Sequence, residues 1–261
     1  MPEFSSHAPG TFCWPELGTT DQKSAVSFYR ALFGWDVNDL PLGPAESYSM
    51  FQLRGKPIAA AHTLQAEQRT HGVPAHWGSY ISVASADQAS KRASELGGKI
   101  LAAPFDVMDA GRMAVVQDPV GAVFMLWQAK RHPGAMVLGE PGTLCWTELI
   151  TRDPKSAVSF YSRLFGWSSK LGTDGGGEYH EMSNGSQPQG GIMALRPEMG
   201  DMPPAWTPYF AVDDCEATAK KATQLGGRVF MKPTDIPKVG RFAVLADPHG
   251  AVFDVIKIAR A

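Results

Sequence analysis

Two short stretches set an indole and a carboxylate two residues apart: Trp14-Pro-Glu16 and Trp146-Thr-Glu148. Side chains alternate between faces along a strand, so each Trp–Glu pair shares a face. Cys13 and Leu17, or Cys145 and Leu149, then fall on the opposite face. A carboxylate walled by apolar groups has its pKa raised by lost solvation. That suits it to act as a general base or as an acceptor for a substrate hydroxyl. Indole adds a large contact area and one N–H donor. Tyr80 and Tyr209 share a face with Gly78 and Thr207, and Val123, Met125 and Trp127 share another. Each residue also has a structural reading. Trp14 and Trp146 can simply fill space, and Glu16 and Glu148 can be buried partners of Arg112 or Arg241. Trp77 and Trp206 suit either a core or a cleft rim. No Ser/His/Asp or Cys/His constellation recurs in both stretches.

The elements that carry these residues come in two copies. Pro9-Gly-Thr-Phe-Cys-Trp-Pro-Glu-Leu17 returns as Pro141-Gly-Thr-Leu-Cys-Trp-Thr-Glu-Leu149, and Asp21 to Trp35 returns as Asp153 to Trp167, both at an offset of 132 (141 minus 9). Gly111 to Phe124 returns as Gly240 to Phe253 at an offset of 129 (240 minus 111). Two copies of this length describe a duplicated globular domain rather than a solenoid. Within each copy a weaker plan repeats: strand, capping Asp, helix, Gly, then two or three short strands. Asp21 and the Asp153-Pro154 pair supply helix starts. Ala25, Phe28, Tyr29 and Leu32 give one apolar helical face, and Phe33-Gly34 closes the helix. The plan recurs over Tyr80–Val83 with Asp87–Leu96, and over Tyr209–Val212 with Asp213–Leu225. The chain therefore reads as four β-α-β-β-β units in two domains, residues 1–130 and 141–261. Residues 131–140 form a linker. Gly172 to Gly177 looks like a flexible turn, since no phosphate-loop spacing is present.

Bulk composition narrows the function classes. The 261 residues suit two domains, and 44% hydrophobic with 19% charged residues is ordinary for a soluble chain. Each half is long enough for a core of its own. A net charge of −2 leaves no footprint for nucleic acid. No Lys/Arg run suggests a membrane surface, and no apolar run approaches the ~20 residues of a bilayer span. Met1 to Gly10 lacks the basic start and apolar stretch of a signal peptide, so a cytoplasmic location is expected, with leaderless export the other route. Three cysteines give no disulfide framework; Cys13 and Cys145 read as small buried hydrophobes.

The order strand, Asp, Ser-x-x-Phe-Tyr, Leu-x-Gly, and later Asp-Pro-x-Gly before an apolar strand resembles the vicinal oxygen chelate superfamily. That group holds glyoxalase I, extradiol dioxygenases and bleomycin-resistance proteins. Cys-Trp-x-Glu-Leu, Leu-Phe-Gly-Trp and Val-Gly-Arg-Phe-Ala-Val-Leu look closer still to a tandem, glyoxalase-like subgroup of actinobacteria that includes a mycobacterial culture-filtrate protein. The resemblance covers nearly the whole chain. It implies an α+β protein of two glyoxalase-like domains, each of two βαβββ units whose curved mixed sheets surround a cleft. It also implies a divalent metal in that cleft. The family's ligand positions fall here on Trp14, Gly78 and Met125 in the first half, and on Trp146, Thr207 and Asp254 in the second. A fourth falls near Ala60–His62 and Ile192–Leu195. Each half thus offers one good donor, His62 or Asp254, where about three are needed.

The expectation is a metal-independent, cofactor-free small-molecule binder with aromatic clefts lined by Trp14, Glu16, Tyr80, Met125, Trp146, Glu148, Tyr209 and Asp254. The alternatives are a metal-dependent lyase or dioxygenase of the glyoxalase type, with a site improvised from Glu16, Glu148 and His180, and a protein-interaction or regulatory module. The duplication suggests an internal pseudo-dimer, hence a monomer or weak homodimer, with neither nucleic acid nor membrane as partner.

Overall fold

The computed structural model describes residues 3–43, 46–172 and 178–259. Met1-Pro2 and all but the first residue of the glycine-rich Gly172–Gly177 turn lie outside the described residues. The first unit is β1 (Phe12–Thr19), α1 (Gln22–Phe33), β2 (Asp36–Pro41), β3 (Ser47–Leu53) and β4 (Lys56–Thr63). A short helix, α2 (Ala66–Thr70), leads into the second unit. That unit is β5 (His76–Ser82), α3 (Ala86–Glu95), β6 (Lys99–Val107), β7 (Gly111–Gln117) and β8 (Val123–Ala129). The second half repeats the plan with β9 (Leu144–Thr151), α4 (Pro154–Phe165), β10 (Ser168–Leu171), β11 (Tyr179–Asn184) and β12 (Gln187–Ala194). It ends with β13 (Ala205–Ala211), α5 (Cys215–Gln224), β14 (Arg228–Ile236), β15 (Gly240–Ala246) and β16 (Val252–Ile258).

Each half forms one eight-stranded mixed sheet, in the orders β2-β3-β4-β1-β5-β8-β7-β6 and β10-β11-β12-β9-β13-β16-β15-β14. The centre of each is alike: β1 runs parallel to β4 and antiparallel to β5, which runs parallel to β8. The helices start and stop where local chemistry demands. The Asp21 and Asp153 carboxylates accept from the Ser24 and Ser156 amides, and Gly34 and Gly166 close the helices at φ 75°. In the later units the capping residues are Ser85 and Asp214 instead of Asp87 and Asp213. Asp87 sits in the first turn, where it pairs with Arg112.

The hydrophobic cores do not respect the repeat. One joins Phe28, Tyr29, Trp35 and Trp77 to Phe210, Val212, Leu245 and Phe253. The other joins Ile81, Phe124 and Leu126 to Phe160, Tyr161, Trp167 and Trp206. Each half therefore completes its core with its neighbour, because α1 packs on α5 and α4 on α3. The expectation of a separate core per half is corrected here. An amphipathic helix that lies over the seam between two like sheets buries its stripe against both.

Matching polar relays tie the seam. Trp77 Nε1 donates to Tyr29 Oη (2.9 Å), which donates to Asp247 Oδ2 (3.3 Å). Trp206 Nε1 donates to Tyr161 Oη (2.7 Å), which donates to Asp118 Oδ2 (2.9 Å). Trp35 and Trp167 donate across the seam to the Gly142 and Gly10 carbonyls, both at 2.7 Å. Trp77 and Trp206 are thus core residues. The linker is also packed: Ala135 and Val137 are buried, and the Ala135 amide donates to the Cys13 carbonyl.

Candidate functional site

Cross-strand partners lie side by side on one face of a sheet, so the register identifies what surrounds each Trp–Glu pair. In the first half Trp14 faces Tyr80, and Tyr80 faces Met125. One step along, Glu16 lies between Ala60 and Gly78. In the second half the rows read Trp146, Tyr209, Asp254 and Gly191, Glu148, Thr207. All eight expected site residues therefore gather as two equivalent groups on the central strands, four to each sheet.

One facial assignment is overturned. A bulge between Phe12 and Trp14 breaks the alternation. Phe12 turns to the core with Trp167 and Trp206, and Cys13 lies in the same cluster as Trp14 rather than with Leu17. An extra residue in one strand of a ladder shifts every side chain before it.

The carboxylates are held by tyrosines, not arginines. Glu16 accepts from Tyr48 Oη at 2.6 Å and Tyr80 Oη at 2.8 Å. His62 Nδ1 lies 3.3 Å from the same carboxylate, close but not aligned as a hydrogen bond. Trp14 Nε1 donates to Tyr48 Oη at 3.0 Å. In the second half Tyr209 Oη donates to Glu148 Oε1 at 3.0 Å, Tyr179 also bonds Glu148, and Trp146 Nε1 donates to Tyr179 Oη at 3.2 Å. Arg112 pairs with Asp87 and Asp106, and Arg241 with Glu216 and Asp235, on exposed strand surfaces. The expected Glu–Arg pairing is absent because both arginines point to the opposite face from the glutamates.

Tyr48 and Tyr179 were missed by the sequence reading. Each lies at the start of the second strand after a helix, Tyr48 in β3 after α1 and Tyr179 in β11 after α4, at an offset of 131 (179 minus 48), a recurrence the sequence already carries. His132 was missed as well. Its ring meets Trp14 edge-on at 4.5 Å, and burial lowers its pKa to about 4.

The two groups differ electrostatically. Burial pushes the Glu148 carboxyl up, partly offset by the hydrogen bonds from Tyr209 and Tyr179 and by the charge of Arg196. Asp254 is pushed well above the carboxylate range by burial and by its neighbour Glu148. In the first half burial and the charge on Glu16 hold the Tyr48 and Tyr80 hydroxyls far above their ordinary value. Those phenols stay protonated donors.

The family's metal does not fit these residues. The fourth ligand position, loose in the sequence, falls on Ala60 and Gly191 by register. Indole, methyl and glycine offer no donor, and the Met125 thioether suits soft ions. Asp254 and the Thr207 hydroxyl make an incomplete set in the second half. Among the described residues no three His, Cys, Asp or Glu converge on a point that could hold a metal ion. His180 binds Ser169 and Glu178 instead of joining Glu148.

Residues 12–126 and 143–255 each match the model of the Glyoxalase/Bleomycin resistance protein/Dioxygenase superfamily. CFP32 of Mycobacterium tuberculosis, which carries the name of a glyoxylase, is 43% identical over 261 residues and covers 99% of both chains. The anthracycline biosynthesis protein DnrV of Streptomyces peucetius is 37% identical, with 96% of this chain and 94% of its own aligned. Among solved structures, the Mn(II)-bound glyoxalase of Novosphingobium aromaticivorans superposes with a TM-score of 0.64 at 15% identity, over 95% of this chain and 82% of that one. A variant of homoprotocatechuate 2,3-dioxygenase from B. fuscum gives 0.67 at 15% identity, over 99% and 74%. Such low identity speaks for the fold alone.

Proposed function

Because the chain belongs to the Glyoxalase/Bleomycin resistance protein/Dioxygenase superfamily, we propose that it keeps the family's cleft for small molecules while working without a divalent metal or other cofactor. The observation that carries this reading is the substitution of the ligand positions by Trp14, Ala60, Gly78 and Met125, and by Trp146, Gly191 and Thr207 beside a lone Asp254. What stands there is an aromatic lining with a tyrosine-held carboxylate, a common composition for a small-molecule site. The aromatic rings of this lining offer flat apolar contact to a ligand, and the carboxylates, held in place by the tyrosines, supply the acceptors. The naming of two Streptomyces relatives for anthracycline biosynthesis supports a planar aromatic ligand.

The seam between halves already supplies the paired units, so the chain acts as a monomer in this reading. The free cysteines suit a reducing cytoplasm. No helix among the described residues is long and apolar enough to cross a membrane.

Elemental analysis after dialysis, with a thermal-shift screen of planar aromatic compounds run with and without chelator, tests the proposal. Well under one metal ion per chain and chelator-independent stabilisation are expected. Stoichiometric metal, removed by chelator together with a measurable activity, would refute it.

A further inference from the structure

The linker closes one end of the first sheet. It crosses from the start of β7 to β4, along the end where β1 and β4 begin and β5 and β8 stop. The His132 amide donates to the Ala110 carbonyl (3.0 Å), the Ala135 amide to that of Cys13 (2.7 Å) and the Met136 amide to that of Pro57 (2.8 Å). Trp127 Nε1 donates to the His132 carbonyl at 3.0 Å. Ala135 is buried in one cluster with Cys13 and Trp14, and the His132 ring meets the same indole edge-on. Only glycine suits position 134. Its φ is +110°, and a Cβ there would stand 2.5 Å from the Cys13 carbonyl oxygen.

The second sheet repeats this end and leaves it more open. The strand registers set Cys145 for Cys13, Pro188 for Pro57, Val239 for Ala110 and Ile258 for Ala129. The chain leaves its last strand in the same way, since the Ala259 amide bonds the Val239 carbonyl as the Lys130 amide bonds that of Ala110. Cys13 and Trp14 are buried, whereas Cys145 and Trp146 are only half-buried. Where the first sheet has two alanines, the second has larger apolar side chains with much of their surface in solvent, 43% for Val239 and 51% for Ile258. These two adjoin through the Gly240–Ile258 pair. Strand alternation puts Ile258 on the face of Ile256 and Asp254, which is the face of Trp146. Apolar residues enlarged together at an open sheet end mark an interaction surface.

We propose that this end of the second sheet docks an extended, uncharged segment of another protein, laid across it as Gly134-Ala-Met-Val137 is laid across the first. The internal repeat is the template for the occupant. Carbonyls at Cys13 and Pro57 accept from linker amides, so those of Cys145 and Pro188 suit a partner backbone that brings its own N–H groups. A glycine must pass the Cys145 carbonyl, for the reason that holds at Gly134. A small apolar residue follows it beside Trp146, as Ala135 sits with Trp14. Val239 and Ile258 meet the residues before that glycine, in the place His132 and Pro133 take in the first half. The segment comes from a different protein because this chain's own linker is already bonded to Cys13 and Pro57. The proposal stands apart from the small-molecule reading, since it concerns the end of the sheet and not the row of Glu148.

Fluorine NMR of the whole chain labelled with 5-fluorotryptophan tests the proposal, the Trp146 line being assigned by its loss in Trp146→Phe. The probe is a peptide with the sequence of Pro133–Leu138, capped at both ends. A tethered linker enjoys a high effective concentration, so the free peptide is titrated into the millimolar range. A saturable shift of the Trp146 line is expected, with the Trp14 line unmoved. The same peptide with alanine in place of its glycine should bind about tenfold more weakly or worse. Ile258→Asp in the chain should weaken binding of the parent peptide as much, at an unchanged melting temperature, because that side chain is half exposed.

A Trp146 line that stays still at millimolar peptide, or equal binding of the glycine and alanine peptides, would overturn the assignment. Movement of the Trp14 line instead would show that the peptide displaces the linker, with the same consequence. A Trp146 line that shifts with the chain's own concentration, in the absence of peptide, would place a second copy there and overturn the assignment to another protein.

Discussion

Tyr161→Phe removes one hydroxyl from the seam and leaves the ring in place. That hydroxyl accepts from Trp206 Nε1 at 2.7 Å and donates to Asp118 Oδ2 at 2.9 Å, and Tyr161 is 0% exposed. Its loss orphans a buried indole N–H, at about 1–3 kcal/mol. It also deprives a buried carboxylate of a bond, at about 1.5–3 kcal/mol. Asp118 keeps the Val120 and Ala122 amides on its other oxygen, which limits the second cost. A total of about 2–5 kcal/mol follows, since neighbouring losses rarely add in full. In a chain of this size that lowers the melting temperature by roughly 5–15 °C. Calorimetry on both proteins measures it. Tyr29→Phe is the internal comparison: its bonds to Trp77 and Asp247 are longer, 2.9 and 3.3 Å, so a smaller loss is expected. A Tyr161→Phe protein within ~1 kcal/mol of the parent, or a larger loss from Tyr29→Phe, would show that the relays do not hold the seam.

Because each core is shared, a fragment ending at Gly139 should lack cooperative unfolding and expose apolar surface, whereas mixing it with the complementary fragment should restore structure; circular dichroism and calorimetry decide, and a fragment that melts cooperatively alone contradicts the shared cores. The Asp254 carboxyl is raised on folding, so the folded state holds its proton over a range where the unfolded chain has lost it. Stability should therefore fall as pH rises from the ordinary carboxylate pKa of about 3.9 towards the raised one. Asp254→Asn should flatten that slope in urea melts, and an unchanged slope would contradict the assignment.

The sequence alone determined the plan of this protein. The 132-residue repeat, the capping Asp21 and Asp153, and the αL glycines 34 and 166 are local signals, and they specified four βαβββ units. Strand alternation was enough to place Glu16 and Trp14 on one face, and the residue types at three of the family's four ligand positions in each half were legible, while the fourth needed the strand register, which puts it on Ala60 and Gly191. Tertiary structure decided what met those faces. Tyr29 and Asp247 are 218 residues apart, and a periodicity that shows which side of a helix is apolar does not show which sheet will cover it. The same limit hid Tyr48 and Tyr179 as the holders of the glutamates. A bulge at Cys13 redirected side chains that alternation had assigned, since one extra residue leaves no compositional trace. The packing of Met125 and Ala135 with Trp14, and the burial of Asp254 at the matching place in the second half, depend on close packing between distant segments, which repetition in the sequence does not encode.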